Sequence, residues 1–335
     1  MKKVSSRRRS SKRAVASKKK EVYRVKNWGR SNQALIQRGN LTVWLEPAAI
    51  DHWRYAGPPQ RGAPFYYSNW AIETALTFRL LFNLPLRQTQ GFVDSLLSLM
   101  GWALSAPNYS TLSRRQAHLA VDLPVKPSEQ PIHLVVDSTG LKVYGESEWK
   151  VRQHGWTQRR TWRKLHLGIN ADTGEVVAQT LTEAGTDDAS QVKPLLRQIP
   201  QGVARCYGDG VYDRWKVHRV LAYPAQGVGP IDAVIPPQRN ASERKAKRRY
   251  RHIQARNERV QAIQLQGRKR WKQQTGYHRR SLAETGVARY KRIIGPKLRA
   301  RVFLRQQVEA RLGRKILNRM THIGMPKAYK VEVHA

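Results

Sequence analysis

Apolar residues recur at helical spacing in the first third of the chain and at strand spacing in the middle. Asn69-Trp70 opens a run in which Ala71, Ile72, Ala75, Leu76, Phe78, Leu80 and Leu81 follow a helical pattern. Asn83-Leu84-Pro85 breaks the run, and Leu86 to Met100 resumes it with Phe92, Leu96, Leu97 and Leu99. Pro107-Asn108-Tyr109-Ser110-Thr111-Leu112-Ser113-Arg114-Arg115 then reads as another helix start, carrying small polar and basic groups.

From residue 128 the period changes. Ile132 to Asp137 reads as a strand, and Thr161 to Asn170 alternates as a strand does. Asp172-Thr173-Gly174 supplies a turn, and Glu175 to Thr182 returns as the next strand. Asp188 is placed to cap a helix with Val192, Leu195, Leu196 and Ile199 on one face. Val203 to Asp209 is a further strand, Asp213 is placed to cap a helix through Val217, Val220 and Leu221, and Ala233 to Pro237 closes with a short strand. Three strands, a helix, a strand, a helix and a strand predict an α/β mixed sheet with flanking helices, which matches an RNase H-like fold. No internal repeat at a solenoid period interrupts this order.

Composition divides the chain further. Residues 1–26 are basic, with Lys2, Lys3, Arg7-Arg8-Arg9, Lys12-Arg13 and Lys18-Lys19-Lys20 among serines and alanines, and read as a disordered arm. Residues 27–125 form a helical domain, compatible with DNA reading or with plain packing on its neighbour. Residues 128–326 form the sheet-containing domain, and 327–335 a tail. Within it, residues 239–275 are basic, poor in bulky apolar groups and weakly periodic, and are expected to be a DNA-facing insertion that orders on DNA.

The formal net charge is +39 and the sequence pI about 11.1, the electrostatic footprint of a polyanion binder. An acidic membrane surface would attract such a chain too, but no apolar stretch is long enough for a transmembrane helix and no signal-peptide core follows the basic start. One cysteine, Cys206, excludes an intrachain disulfide and a cysteine-based zinc cluster. A cytoplasmic protein whose partner is DNA, not membrane, is the simplest class.

Charge also singles out one acid. Between Arg239 and Arg301 stand 21 Lys or Arg and only Glu243, Glu258 and Glu284 as acids. Glu284 follows Tyr277 and Arg280 and precedes Lys291, and offsets of three, four and seven put these four on one helical face. The plain alternative is an Arg280–Glu284 surface pair worth a few tenths of a kcal/mol, roughly. Asp137 ends the first strand, and Asp209 stands between Gly208 and Gly210 after another, where missing side chains would let a DNA backbone approach. Alone, either aspartate reads as a turn or cap residue.

Together, Asp137, Asp209 and Glu284 offer hard oxygens suited to Mg²⁺, with two ions expected and Mn²⁺ as a substitute. One ion would activate water or a 3′-hydroxyl, and the other would stabilise the leaving oxygen of an in-line displacement. Arg280, Lys291 and Tyr277 would hold phosphates beside them. No general-base histidine is required, and His133, His154 and His166 read as packing or polar residues. Glu309 competes as third acid but lacks the flanking pattern and is expected at the surface.

These residues carry a resemblance. Val135-Val136-Asp137-Ser138-Thr139-Gly140-Leu141-Lys142-Val143-Tyr144-Gly145, Trp149-Lys150-Val151-Arg152 and Trp162-Arg163-Lys164-Leu165-His166-Leu167 come first. Gly208-Asp209-Gly210-Val211-Tyr212-Asp213, Ile235-Pro236-Pro237, the Tyr277/Arg280/Glu284/Lys291 signature and Leu317-Asn318-Arg319-Met320-Thr321-His322-Ile323-Gly324-Met325-Pro326 follow. In this order, over residues 68–326, the chain resembles bacterial insertion-sequence transposases of the DDE class, in the insertion sequence five family. Val211 stands where that family often has Ala, and the arm at 1–26 lies outside the pattern.

The resemblance implies Asp137, Asp209 and Glu284 as the catalytic triad and terminal inverted repeats as bound DNA. Ser110, Thr111, Arg114 and Arg115 become candidates for reading those ends. Pairing two ends implies at least a dimer in the working complex. Two other readings use the same residues: a nuclease that cuts without joining, and a DNA-binding protein without catalysis.

Overall fold

The computed structural model describes residues 22–45, 48–58, 62, 64–143, 161–225, 229–245 and 250–331. The first half comprises β1 (Val22–Val25), α1 (Trp28–Arg38), the short α2 (Ala48–Asp51), α3 (Asn69–Leu81), α4 (Leu86–Leu99) and α5 (Tyr109–Gln116). The strands β2 (Ile132–Val143), β3 (Trp162–Asn170) and β4 (Val176–Glu183) follow, then α6 (Val192–Leu196), β5 (Val203–Tyr207), α7 (Trp215–Ala222) and β6 (Asp232–Val234). The chain continues through α8 (Arg251–Gln266), α9 (Arg268–Gln274), α10 (Ser281–Ile293), β7 (Lys297–Leu298), α11 (Phe303–Ile323) and β8 (Ala328–Val331).

The main sheet has the order β4-β3-β2-β5-β6, with β7 paired to the end of β2. β2, β3 and β4 are antiparallel neighbours, whereas β5 runs parallel to both β2 and β6. This mixed α/β sheet is the RNase H-like arrangement that the strand pattern predicts.

Helices cover both faces, which explains why Leu134, Val135 and Val136 are all buried without a polar alternation. Leu134, Val136 and Val177 pack with Val192, Leu195 and Ile199 and with Val217 and Leu221 of α7. On the opposite face Leu141, Leu165, Leu167 and Ile169 share a core with Ile72, Leu76 and Phe78 of α3 and with Leu312 and Ile316 of α11. Val135, Tyr207 and Val234 meet Trp271 of α9 and Ala283 of α10. Asp137, two residues from Val135 and four from Leu141, therefore points to the face between these last two clusters.

Local chemistry sets the helix ends. Ser68 accepts from the Ala71 N–H at 3.1 Å and starts α3, and Asn83, with φ of 58°, turns the chain into α4. Asn108 accepts from the Ser110 N–H at 2.9 Å and starts α5. Along the unpaired edge of strand β4, Arg314 donates to the carbonyls of Val176 and Val177 (2.8 Å each) and Asn318 bonds both backbone groups of Val176 (2.9 Å each), all of them buried. The long helix α11 thereby closes a sheet edge that would otherwise offer unpaired backbone.

Several expectations change. Residues 239–275 are not disordered throughout: they include α8 and α9, anchored by Arg256, Val260 and Trp271; Arg256 and Val260 stand one helical turn apart, but an arginine in the buried position leaves no apolar stripe. Asp187, not Asp188, accepts from the Ala189 N–H at the start of the next turn, while Asp188 turns to Lys164 at 3.2 Å. Asp213 does not cap α7; it is buried in an ion pair with Arg256. Glu309 is 2% exposed rather than a surface residue, because the backbone N–H groups of Arg299 and Ala300 donate to its carboxylate at 2.9–3.1 Å. Residues 22–25 and 328–331 pair as antiparallel strands, which draws the end of the basic arm and the start of the tail into the fold. Residues 1–21, the Trp149-Lys150-Val151-Arg152 motif and His154 lie outside the described residues.

His166 is fully buried, 2.8 Å from the Thr182 hydroxyl, with Asp188 3.4 Å from its other ring nitrogen but out of hydrogen-bond alignment. Burial lowers its pKa from 6.5 to about 4, against the pull of Asp188. The unfolded chain therefore takes up a proton that the folded one refuses, so this contribution to stability is present above pH 6.5 and lost as pH falls toward 4. Denaturant titrations across that window should show a slope of up to about 1.4 kcal/mol per pH unit from this group. The slope should flatten in His166→Gln, and an equally steep profile in the variant would assign the effect elsewhere.

Candidate active site

Parallel register brings the two aspartates level. Val135 of β2 lies opposite Tyr207 of β5, and Asp137 and Asp209 each stand two residues further on. Asp137 accepts from the Ser138 N–H at 2.8 Å, and Asp209 from the Val211 N–H at 2.9 Å, so each carboxylate keeps oxygen capacity for another partner. Gly208 answers to packing rather than to open room: a Cβ there would meet the Tyr212 ring at 3.0 Å.

The third acid arrives on α10. Tyr277–Arg280 is a turn of 3-10 helix and the α-helix begins at Ser281, so Tyr277 and Arg280 stay aligned because three residues make one 3-10 turn. Gly286 lets α10 lie close on β3, since a Cβ there would run into Ile169. The neighbouring Arg279 anchors the helix start by pairing with Asp172 and bonding His133 at 2.9 Å.

Arg280 joins the three acids. Its guanidinium pairs with Glu284, lies 3.4 Å from an Asp137 oxygen and 3.8 Å from an Asp209 oxygen. The Arg280–Glu284 pair of the plain alternative is thus present, but as one arm of a four-residue cluster. Tyr277 flanks the cluster, half-buried against Trp271, and Lys272 lies over its ring at 4.9 Å. Lys291 is half-buried two turns along, and among the described residues no hydrogen bond or ion pair links it to the acids.

The electrostatics are those of carboxylates short of positive charge. Burial raises the pKa of Asp137; Ser138 and Arg280 oppose the rise, while Asp209 and Glu284 add to it. Burial alone would lower the Arg280 pKa, but Asp137 and Glu284 outweigh it and raise it. Among the described residues no three His, Cys, Asp or Glu side chains converge closely enough to hold a metal as they stand. The guanidinium supplies the cation between them, and a partly screened set of hard oxygens is the donor chemistry that a divalent ion takes. The donor type of the three acids thus suits such an ion, while their present spacing does not close around one.

The other sequence candidates separate. Arg114 is exposed on α5. Arg115 is engaged within the fold: it donates to the Tyr67 carbonyl at 3.0 Å and to Asn69 at 2.7 Å, and covers the Phe65 ring at 3.8 Å. Ser110 bonds the capping Asn108 at 2.9 Å, and Thr111 is half-buried beside it.

Two family models, both described as a transposase DDE domain, match residues 36–146 and 128–319. The second covers more than half of the chain. The chain belongs to the DDE transposases. As an insertion-sequence transposase of this class it is a DNA-acting protein with nuclease and transferase chemistry, and the family generally uses divalent metal ions. Among the described residues no helix is long and apolar enough to cross a membrane.

The transposase also holds a feature that sequence spacing did not reveal. Asp213, four residues after Asp209, is buried, and Arg256 of α8 grips both its oxygens at 2.8 Å. His218 and the Gln238 N–H complete its shell at 2.8 and 3.1 Å. Burial would raise the Asp213 pKa, but these donors hold it well below the usual carboxylate range. Arg256 also stacks over Trp215 at 4.7 Å. The basic helices are thereby fastened to the loop that carries Asp209. The only sequence hint was an arginine in a segment short of acids.

Breaking this pair leaves a buried carboxylate with too few donors. Arg256→Met should cost about 3 kcal/mol in urea denaturation. It should also open α8 and α9 to limited proteolysis before the rest of the chain. A change below about 0.5 kcal/mol, the range of an ordinary surface substitution, would show that the pair does not hold the helices.

Proposed function

We propose that this chain is the transposase of an insertion sequence in the insertion sequence five family. It binds the terminal inverted repeats of its element, hydrolyses strands there and joins the freed 3′-hydroxyls to target DNA. The convergence of Asp137, Asp209 and Glu284 on one guanidinium carries this reading. A chain of net charge +39 supplies the setting that DNA requires.

In this reading Asp137, Asp209 and Glu284 hold two Mg²⁺ ions, with Mn²⁺ as a substitute. Bound there, the metal supplies Lewis acidity and lowers the pKa of a coordinated water or 3′-hydroxyl. The remaining work falls to side chains. Arg280, released from the carboxylates, turns its planar fork to a phosphate beside the scissile bond, a geometry that lysine cannot copy. Tyr277 borders the same phosphate, and Lys291 meets the strand farther along α10. Ser110, Thr111 and Arg114 on α5 face the ends, with Arg115 holding that helix in place. Two ends act together, so the working assembly is at least a dimer.

Asp137→Asn, Asp209→Asn and Glu284→Gln should each remove Mn²⁺ binding, measured by titration on the intact chain. They should abolish cleavage and joining while leaving duplex binding near the original level. Substantial cleavage by Glu284→Gln in Mg²⁺ would refute its assignment. Strand cutting without joining of a pre-cleaved end would make the protein a nuclease, and binding without either would make it a silent DNA-binding protein.

Arg280→Ala gives an independent check. Because the guanidinium occupies the space between the acids, its removal should leave Mn²⁺ affinity equal or higher while joining falls. Arg280→Lys should restore joining only in part. Lost Mn²⁺ binding in Arg280→Ala, with normal joining at saturating metal, would reduce the residue to a support for Glu284.

A further inference from the structure

At the far end of α10, a cleft of about 620 Å³ opens between the α3–α4 turn and the segment leading into β7. Arg79, Lys297, Arg299 and Arg301 line it, and no acidic side chain does. Arg79 is 6% exposed, and its Nε is buried without a hydrogen-bond partner. Among the described residues no ion pair reaches its guanidinium. Glu309 is the acid whose charge it feels, but the Glu309 oxygens accept from the Arg299 and Ala300 N–H groups instead. Arg299 adds like charge and is itself held at the wall, donating to the Leu84 carbonyl at 3.2 Å.

A cation buried without a counterion is costly, and proteins resolve it by pairing. Glu309 offsets this charge only through space, its oxygens being committed to backbone N–H groups, whereas the cleft opens to solvent with Lys297 and Arg301 exposed at its rim. A tetrahedral oxyanion in the cleft would meet this need: it pairs with the Arg79 guanidinium through charge-assisted hydrogen bonds to its terminal nitrogens, and the rim cations attract it.

We propose that this cleft is a second anion site, built around Arg79, and that it takes a backbone phosphate of the bound DNA. The anion's identity rests on the transposase reading, while the site itself rests on Arg79. Position supports the assignment. Ile294 at the cleft is ten residues beyond Glu284, about 15 Å along a helix rising 1.5 Å per residue. That is roughly four base steps at about 3.4 Å each. Lys291 lies between on the Glu284 face, so a strand leaving the triad along α10 meets it and then the cleft.

The test uses the full chain and two variants, Arg79→Met and the exposed rim pair Lys297→Gln with Arg301→Gln. Inorganic phosphate, compared with chloride at equal ionic strength, should raise the melting temperature of the original protein. Either variant should lose most of that rise, and Arg79→Met should match or exceed the original in chloride because it removes the unpaired charge. In duplex binding, the slope of log K against log salt should shrink by about 0.9, the change expected when one phosphate is no longer neutralised.

If phosphate stabilises through Arg79 but DNA binding keeps its slope in both variants, the site holds free anions and the backbone assignment is overturned. If phosphate and chloride act alike on the original protein and the slope is unchanged, the site itself is overturned. Should Arg79→Met fail to fold, the rim variant alone decides, since its residues are exposed. A protein that shows the Arg79-dependent phosphate effect but never cleaves DNA would count against the transposase reading and leave the anion site standing.

Discussion

The pairing of Val135 with Tyr207 is the constraint on which the site depends. Parallel strands in that register bring Asp137 and Asp209 side by side, where two carboxylates repel each other and burial disfavours the charge of Asp137. A third acid on α10 adds to the repulsion. Arg280 makes the assembly tolerable by lying among all three. The fold thus holds an electrostatic demand in place before any ligand arrives, and one arginine meets it provisionally.

The position of Arg280 depends in turn on how α10 is seated. Arg279 fastens the helix start to Asp172 and His133, and Gly286 removes the Cβ that would push the helix off Ile169. Adjacent arginines therefore diverge, one toward the sheet and one toward the acids. The same helix reaches from Glu284 to the cleft around Arg79, so its seating sets the geometry of both ends.

Burial of charge recurs through the molecule and follows one rule. Asp213 is buried because Arg256, His218 and a backbone N–H satisfy it, and Glu309 is buried because two N–H groups of the β7 region do. In each case a helix is tied to a neighbouring loop or strand by an acid that cannot be left alone. Arg79 departs from the rule, and that departure marks the cleft as a place for an external partner. In a chain with 62 Lys and Arg against 23 Asp and Glu, acids are scarce enough that their positions mark where the fold is fastened.

Much of this was legible in the amino-acid order. Alternation and apolar runs placed β2 to β6 and the helices between them, because strand and helix periods are local properties of the chain. Asp137, Asp209 and Glu284 were legible as candidates from strand ends, flanking glycines and helical spacing. What local pattern could not carry was decided by pairs distant in sequence. Arg256 and Asp213 stand 43 residues apart, and Glu309 meets backbone groups nine and ten residues before it, so neither burial leaves a periodic trace. The same reason hid the folded helices within 239–275, whose order comes from a buried ion pair with a few apolar anchors, Val260 and Trp271 among them, rather than from a long apolar stripe. Spacing placed Arg280 beside Glu284, but only the assembled sheet, bringing two strand ends under the start of α10, placed its guanidinium among three acids.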